Sequence, residues 1–446
     1  MLRITALISL FLTSHVFAAD FPQFRGPAGT GVVVDKADLP TTWSGKKNIA
    51  WMAKLPGSGW SQPVVIGDTL YITAAVGDKL MRPKDMQAGV KDKSSMPLPG
   101  FAPKAPDVKI EWKLIAVDAG NGTIRWAKTV VEGKPKHPIH PSNTYATETA
   151  CADADRVYAY FGATGTLAAY DHYGKQLWIA ELGAYRYSNG FGSGSSPALF
   201  DGKLFISNFN EEKSFLVAFD AKTGKEIWRQ PREKPGSAWA SPFVWRTKAR
   251  AEIVACGDKL VTSHDPVTGK ELWRLGGMDT AFAPSPAADG EMLILAASSP
   301  FSSSPIFGVN AGAQGDITLK KGEKSSASVA WFRNGSGVGM ASPLATEGYL
   351  YIPGQSGLIC VDTKTGEQKY KERLPKSRTV AACPVVIGNK LLVLDEAGKA
   401  TWVKTGPKFE VIDTAEINDT FWASPAVAGD GIYLRGIEGL YCIKKQ

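Results

Sequence analysis

One phrase returns along almost the whole of this chain, and it limits the fold more than any other feature. A small residue and a proline, followed by an apolar run, occur at Ser61-Gln62-Pro63, Ser196-Pro197, Ser241-Pro242, Ser285-Pro286, Ser342-Pro343, Cys383-Pro384 and Ser424-Pro425. An eighth copy, Thr149-Ala150-Cys151, lacks the proline but leads into the same kind of strand pair. From Pro197 onward the prolines are mostly 41 to 45 residues apart. Each unit closes on an aromatic or aliphatic residue after a charged turn: Trp126, Trp178, Trp228, Trp273 and Trp331, then Tyr370 and Ile412.

Within one unit, four short apolar runs (197–200, 204–207, 215–219 and 226–228) are separated by Asp-Gly, a polar tip and Asp220-Ala-Lys-Thr-Gly-Lys. Runs this short between turn residues form strands rather than helices. A four-stranded meander cannot bury both of its faces alone, so the units must stack on one another. The spacing predicts an all-β fold: an eight-bladed β-propeller of four-stranded antiparallel blades, with residues 19–446 as a single domain. The tryptophans Trp51, Trp126, Trp178, Trp228, Trp273 and Trp331, one per unit at one register, read as packing wedges between blades.

The last unit supplies only three strands before Gln446, while 48–51, Asn48-Ile49-Ala50-Trp51, repeats the missing fourth. The N-terminal strand is therefore expected to complete the eighth blade and close the ring, removing an open sheet edge.

Residues 1–18 carry one arginine, an apolar run too short to span a bilayer, and small residues before position 19, the pattern of a cleaved secretory signal peptide. An exported chain, periplasmic or secreted, is expected. No cysteine follows the cleavage point to carry a lipid anchor, and no later run is long enough for a membrane span. Five scattered cysteines, Cys151, Cys256, Cys360, Cys383 and Cys442, read as small buried hydrophobes, with Cys151 and Cys383 standing inside the Ser-Pro motif. The net charge of +8 is dispersed over many turns, which argues against nucleic acid as a partner.

The Ser-Pro strand, the Leu/Ile-x-Ala-x-Asp strand and the Thr-Gly-Lys-x-x-Trp end resemble the repeats of the pyrroloquinoline quinone (PQQ) propeller superfamily. That superfamily includes quinoprotein dehydrogenases and the non-catalytic assembly factor BamB. Phe21-Pro-Gln-Phe-Arg25-Gly26-Pro27, His140-Pro-Ser-Asn143 and Gly315-Asp316-Ile317-Thr318 resemble phrases of its exported, BamB-like subgroup. The resemblance implies the ring; it does not by itself imply a reaction.

Segments that break the repeat are where function is sought. A long insertion, 76–109, falls between the second and third strands of blade 1, and the connection 134–148 is also long; both are expected on one face of the ring. Trp60, Trp239 and Trp422 stand three residues before the proline slot, with Phe282 one further back in its own unit. Together with Glu148, Arg186 and Arg378 they form a candidate ligand rim, although wall packing and exposed or locally paired loop charges explain the same residues. His137 and His140 both precede proline, which disfavours a helical metal pair, and with Asn143 they read as a folded loop rather than a metal site. His172 and His264 are expected to face solvent at hairpin tips.

By resemblance, a quinoprotein enzyme would need PQQ, calcium and a carboxylate base. No adjacent cysteine pair is present, and no catalytic or calcium residue can be carried over. The expected function is a monomeric, cofactor-free scaffold that binds envelope proteins or peptide segments. A PQQ- and calcium-dependent oxidoreductase and a glycan-binding propeller are the alternatives.

Overall fold

The computed structural model describes residues 20–34, 38–45, 47–78, 104–140, 142–278, 283–298, 304–334, 339–354 and 357–446. The signal-peptide reading of 1–18, most of the 76–109 insertion and Phe282 lie outside them.

Eight sheets follow one another along the chain, each built on a four-stranded antiparallel meander whose strands run in sequence order except in the last. Blade 3 is the regular case: Ala198–Phe200, Lys203–Asn208, Phe215–Asp220 and Glu226–Pro231 pair in sequence order. Blade 8 is completed as expected. Ile49–Ala53 pairs antiparallel with Leu440–Ile443, setting Trp51 opposite Cys442.

The wedge tryptophans do their packing through a glycine. Indole N–H groups of Trp51, Trp126, Trp178, Trp228 and Trp331 each donate to a carbonyl of the next blade's turn, those of Ala119, His172, Ala221, Pro266 and Thr363. The ring then lies flat under the turn glycine: a Cβ at Gly224 would stand 2.5 Å from the Trp178 ring. Gly224 also has φ +71°, so the Thr-Gly-Lys turn needs glycine for conformation and for contact. Trp273 differs, because blade 5 has no such turn; it donates instead to Glu252 within its own blade (2.6 Å).

The Ser-Pro motif carries a series of hydrogen bonds from blade to blade around the central channel. The N–H groups of Thr149, Ser196, Ser241 and Ser285 donate to the hydroxyls of Ser196, Ser241, Ser285 and Ser342 in the following blades, at 2.8 to 3.0 Å. Ser342 N–H continues to Cys383 Sγ (3.3 Å), and Cys383 N–H to Ser424 (2.9 Å). Cys383 thus holds a serine slot, but Cys151 does not: Thr149 occupies that slot, and Cys151 is a buried strand residue. All five cysteines are buried and unbridged.

Two blades have five strands, which the repeat did not foretell. Gly315–Asp316 adds in parallel to the outer strand of blade 4, Glu271–Leu275. Val32–Val33 adds in parallel to the inner strand of blade 7, Val385–Ile387.

Candidate functional site

The inner strands of a propeller turn an unpaired edge toward the axis, and those backbone groups need partners. Here the chain's own N-terminus supplies them. Phe21 exchanges two 2.9 Å backbone bonds with Val65 of blade 1, and Pro22 O accepts from Ala152 N–H of blade 2. Gln23 Oε1 accepts from Leu199 N–H of blade 3 (3.0 Å). Arg25, buried in the channel, sends Nη1 to Pro286 O of blade 5 and Nη2 to Pro343 O of blade 6, both at 2.6 Å. Gly29 lies against Phe243 of blade 4, and Val32 then pairs with Val386 of blade 7.

Gln62 replaces the motif serine in blade 1, and the exchange has a purpose. Its Oε1 accepts from Arg25 N–H (2.7 Å), while its Nε2 donates to Pro425 O of blade 8. Residues 21–33 and this glutamine therefore touch all eight blades. The tip turns back through Arg25 and Gly26, both at positive φ, with Gly26 so close to the Phe21 ring that a Cβ would lie 2.4 Å from it.

At the mouth, where the inner strands begin, the proposed rim separates into two clusters. Trp60 and Trp422 stack across the junction of blades 1 and 8, with centroids 5.7 Å apart. Trp60 is buried and donates to Ser142 O (2.9 Å), so of the three rim tryptophans only Trp239 and Trp422 show part of their surface. Trp239 meets Phe191 edge-on, and Phe191 packs on His140. Arg186 is exposed, 3.9 Å from Glu212, and Arg378 is exposed near Glu396. Burial pushes the Glu396 carboxyl up, with Asp395 adding to the rise and Arg378 and the Trp422 indole opposing it.

Glu148 is not the loop charge its neighbours suggested. It is 1% exposed, and its Oε1 accepts from Gly162 N–H (3.0 Å) and the Ser193 hydroxyl. Burial raises its carboxyl above the ordinary value, against those hydrogen bonds. A carboxyl with a raised folded-state pKa holds its proton more tightly when folded, so its contribution to stability falls as pH rises from about 4.3 through the folded value. Glu148→Gln removes that slope. In scanning calorimetry the variant is expected to melt above the native protein at pH 8, with the difference vanishing near pH 4. A difference constant across that range would contradict this account.

His140 Nδ1 bonds Ser142 (2.6 Å), and Asn143 both caps Thr144 N–H and reaches Phe191 O, holding the 134–148 connection to the entry of blade 3. Burial lowers the pKa of both His137 and His140. The expectation that His172 and His264 face solvent is corrected. His264 is buried, bonded to Gly269 O and stacked on Trp228, while His172 bridges Tyr71 and Asp153 O. Both serve the turn that receives the preceding tryptophan. The flank of the 76–109 insertion returns beside the 134–148 connection, through Lys109–Glu132 (2.8 Å) and Asp107–Lys134 (2.5 Å), so the two leave from one face.

A quinone with calcium does not fit the channel as the described residues fill it. At the depth of the inner strands the axis is occupied by residues 21–33, and Arg25 is already engaged by carbonyls. Glu148 is saturated on one oxygen, and no group of three or more His, Cys, Asp or Glu among the described residues is placed to hold a metal ion.

These features define a closed eight-bladed PQQ-repeat propeller whose channel is plugged by its own N-terminus. The family model described as outer membrane protein assembly factor BamB matches residues 163–312 and 257–406, which together span more than half of the sequence. The chain belongs to that family. Its fold is shared with BamB from Moraxella catarrhalis (15% identity, TM-score 0.53, 75% of this chain and 91% of that one). It is also shared with the quinohemoprotein alcohol dehydrogenase ADHIIG from Pseudomonas putida HK5 (12%, TM-score 0.62, 94% and 76%). In sequence, 188 residues are 29% identical to the dehydrogenase subunit of a quinone alcohol dehydrogenase from Gluconobacter oxydans (strain 621H). That match takes in 35% of this chain and 23% of the relative's length. Among the described residues no helix is long and apolar enough to cross a membrane.

Proposed function

We propose that this protein is an exported scaffold of the cell envelope that binds extended segments of protein partners, a reading supported by its membership of the family described as outer membrane protein assembly factor BamB. The observation that carries this reading is the plugged channel: with the axis filled from within, the surfaces left for binding are the mouth loops and the outer strand edges. Blade 4 gives the chemical precedent, because its outer strand already takes an added strand at Trp273 and Arg274.

The outer strand of blade 2, Gln176–Glu181, is the best open edge. It contains no lysine, arginine or proline, and Leu177 and Ile179 stand 41% and 46% exposed. Edges without such residues are templates for another strand. The outer strands of blades 1, 3, 5 and 6 carry such residues, Arg125 and Lys128, Arg229 and Pro231, Arg333, and Lys369 and Lys371. Those of blades 7 and 8, Val411–Glu416 and Ile49–Ala53, lack them as blade 2 does, but each exposes a single large apolar side chain, Ile412 at 36% and Met52 at 42%.

Cross-linking in intact envelopes tests the reading. The native chain is expected to retain the same protein partner reproducibly, and Leu177→Lys with Ile179→Lys to reduce that yield at least tenfold. Equal recovery by the double variant would remove blade 2 as the contact, and no reproducible protein partner at all would overturn the scaffold reading. The match to a quinone alcohol dehydrogenase favours a second reading, a PQQ-dependent oxidoreductase, which bound quinone would support.

A further inference from the structure

Arg435 ends the second strand of blade 8, Gly431–Arg435, at the channel mouth, and its side chain is 2% exposed. Nη1 donates to Ser61 O (3.3 Å) and to the Ser61 hydroxyl. Among the described residues Nε and Nη2 have no hydrogen-bond partner, yet neither is sealed from solvent, and no carboxylate acts on the group. Burial alone lowers its pKa, to about 9, so the guanidinium is still charged at neutral pH.

The other buried arginine, Arg25, spends both of its Nη groups on three carbonyls and leaves only Nε without a partner. Arg250, which is only partly buried, pairs with the buried Glu252 at 2.8 Å. A buried charge without a counter-ion is strongly unfavourable unless something pairs with it. Arg435 also lines a cleft, whose other walls include Gly57, Ser58, Gly59, Trp60 and Thr144. Two of these are glycines, and a Cβ at Gly59 would fall 2.5 Å from Nη2. The backbone thus approaches the guanidinium without a side chain over it.

We infer that this cleft is a carboxylate-binding site, with the ligand held side-on by the Nε–Nη2 edge of Arg435. That edge presents two parallel N–H donors, the arrangement that a carboxylate accepts with both oxygens. Trp60, stacked on Trp422, stands at the cleft wall, and the cleft has room only for a small group. The carboxylate is either a free small acid or an acidic side chain of a bound peptide. The inference does not depend on the scaffold reading.

The test is a titration of the full chain at constant ionic strength with sodium acetate and, separately, with an N-acetyl aspartyl amide. Either probe is expected to raise the melting midpoint saturably, by roughly 3 °C at a hundredfold excess over its dissociation constant. A tenfold tighter response to the aspartyl probe assigns the site to peptides; a response no tighter than acetate's assigns it to free acids. Arg435→Met is expected to lose the response and, without added acid, to be at least as stable as the native protein, since it no longer buries an unpaired charge. As a measurement independent of that variant's folding, the Arg435 Nε–H resonance should move with the same midpoint. A native protein that does not respond, an unmoved resonance, or an unchanged response in Arg435→Met would overturn the inference.

Discussion

A chain beginning at residue 34, which lacks the axial segment but keeps the strand that closes blade 8, is expected to melt roughly 9 °C below one beginning at residue 19. Several separate losses combine. Phe21 is wholly buried, and its removal costs about 3 kcal/mol in transfer and cavity terms. Pro286 O, Pro343 O and Gln62 then lose the partners that Arg25 provides. A buried polar group left unsatisfied costs about 1–3 kcal/mol, less where water enters the vacated channel. A total on the order of 8 kcal/mol, set against the unfolding entropy of a chain this long, gives the midpoint shift. Circular dichroism should show the strand content nearly unchanged. An unaltered midpoint would mean that the segment merely occupies the channel.

Starting the chain at residue 54 is expected to do about twice as much damage and to change its association state. Ile49–Ala53 is then missing, and the Leu440–Ile443 edge of blade 8 is open. Trp51 also goes, and with it the contact under Gly122 of blade 1 and the packing on Tyr433. The ring loses the wedge at its seam, and the free edge offers its N–H and C=O groups to another molecule. Light scattering should find oligomers where the longer chain is monodisperse. A stable monomer with an unchanged midpoint would show that the seam is held by something other than this strand.

Sequence reasoning reached the ring and its seam because both are written locally. A repeated Ser-Pro, a Thr-Gly-Lys turn and a terminal tryptophan each report on one hairpin, and Asn48–Trp51 is visibly the missing copy. The channel plug could not be read that way. Residues 21–33 have no strand alternation, and their partners are mostly single backbone groups spread from Val65 to Gly388. Two signals were nevertheless present: the dense phrase Phe21-Pro-Gln-Phe-Arg25-Gly26, and Gln62 standing where other units have serine.

At the mouth, single residues misled for related reasons. Glu148 looked like a loop charge because its burial depends on Gly162 and Ser193, one in its own blade and one at the entry to the next. His264 looked exposed because a hairpin tip is normally wet, yet this tip is the socket for Trp228. Arg435 drew no notice at all. An arginine at the end of a strand is unremarkable until its neighbours prove to be glycines rather than carboxylates.

The central claim is that the ring binds proteins on its edges and mouth and not a quinone in its channel. Equilibrium dialysis of the full chain against PQQ with calcium, followed by spectrophotometry of the desalted protein and a dye-linked alcohol oxidation assay, tests it most directly. The predicted result is no retained quinone and no oxidation above buffer. One quinone retained per chain, with calcium-dependent oxidation, would contradict the account and return the protein to the dehydrogenases whose ring it shares.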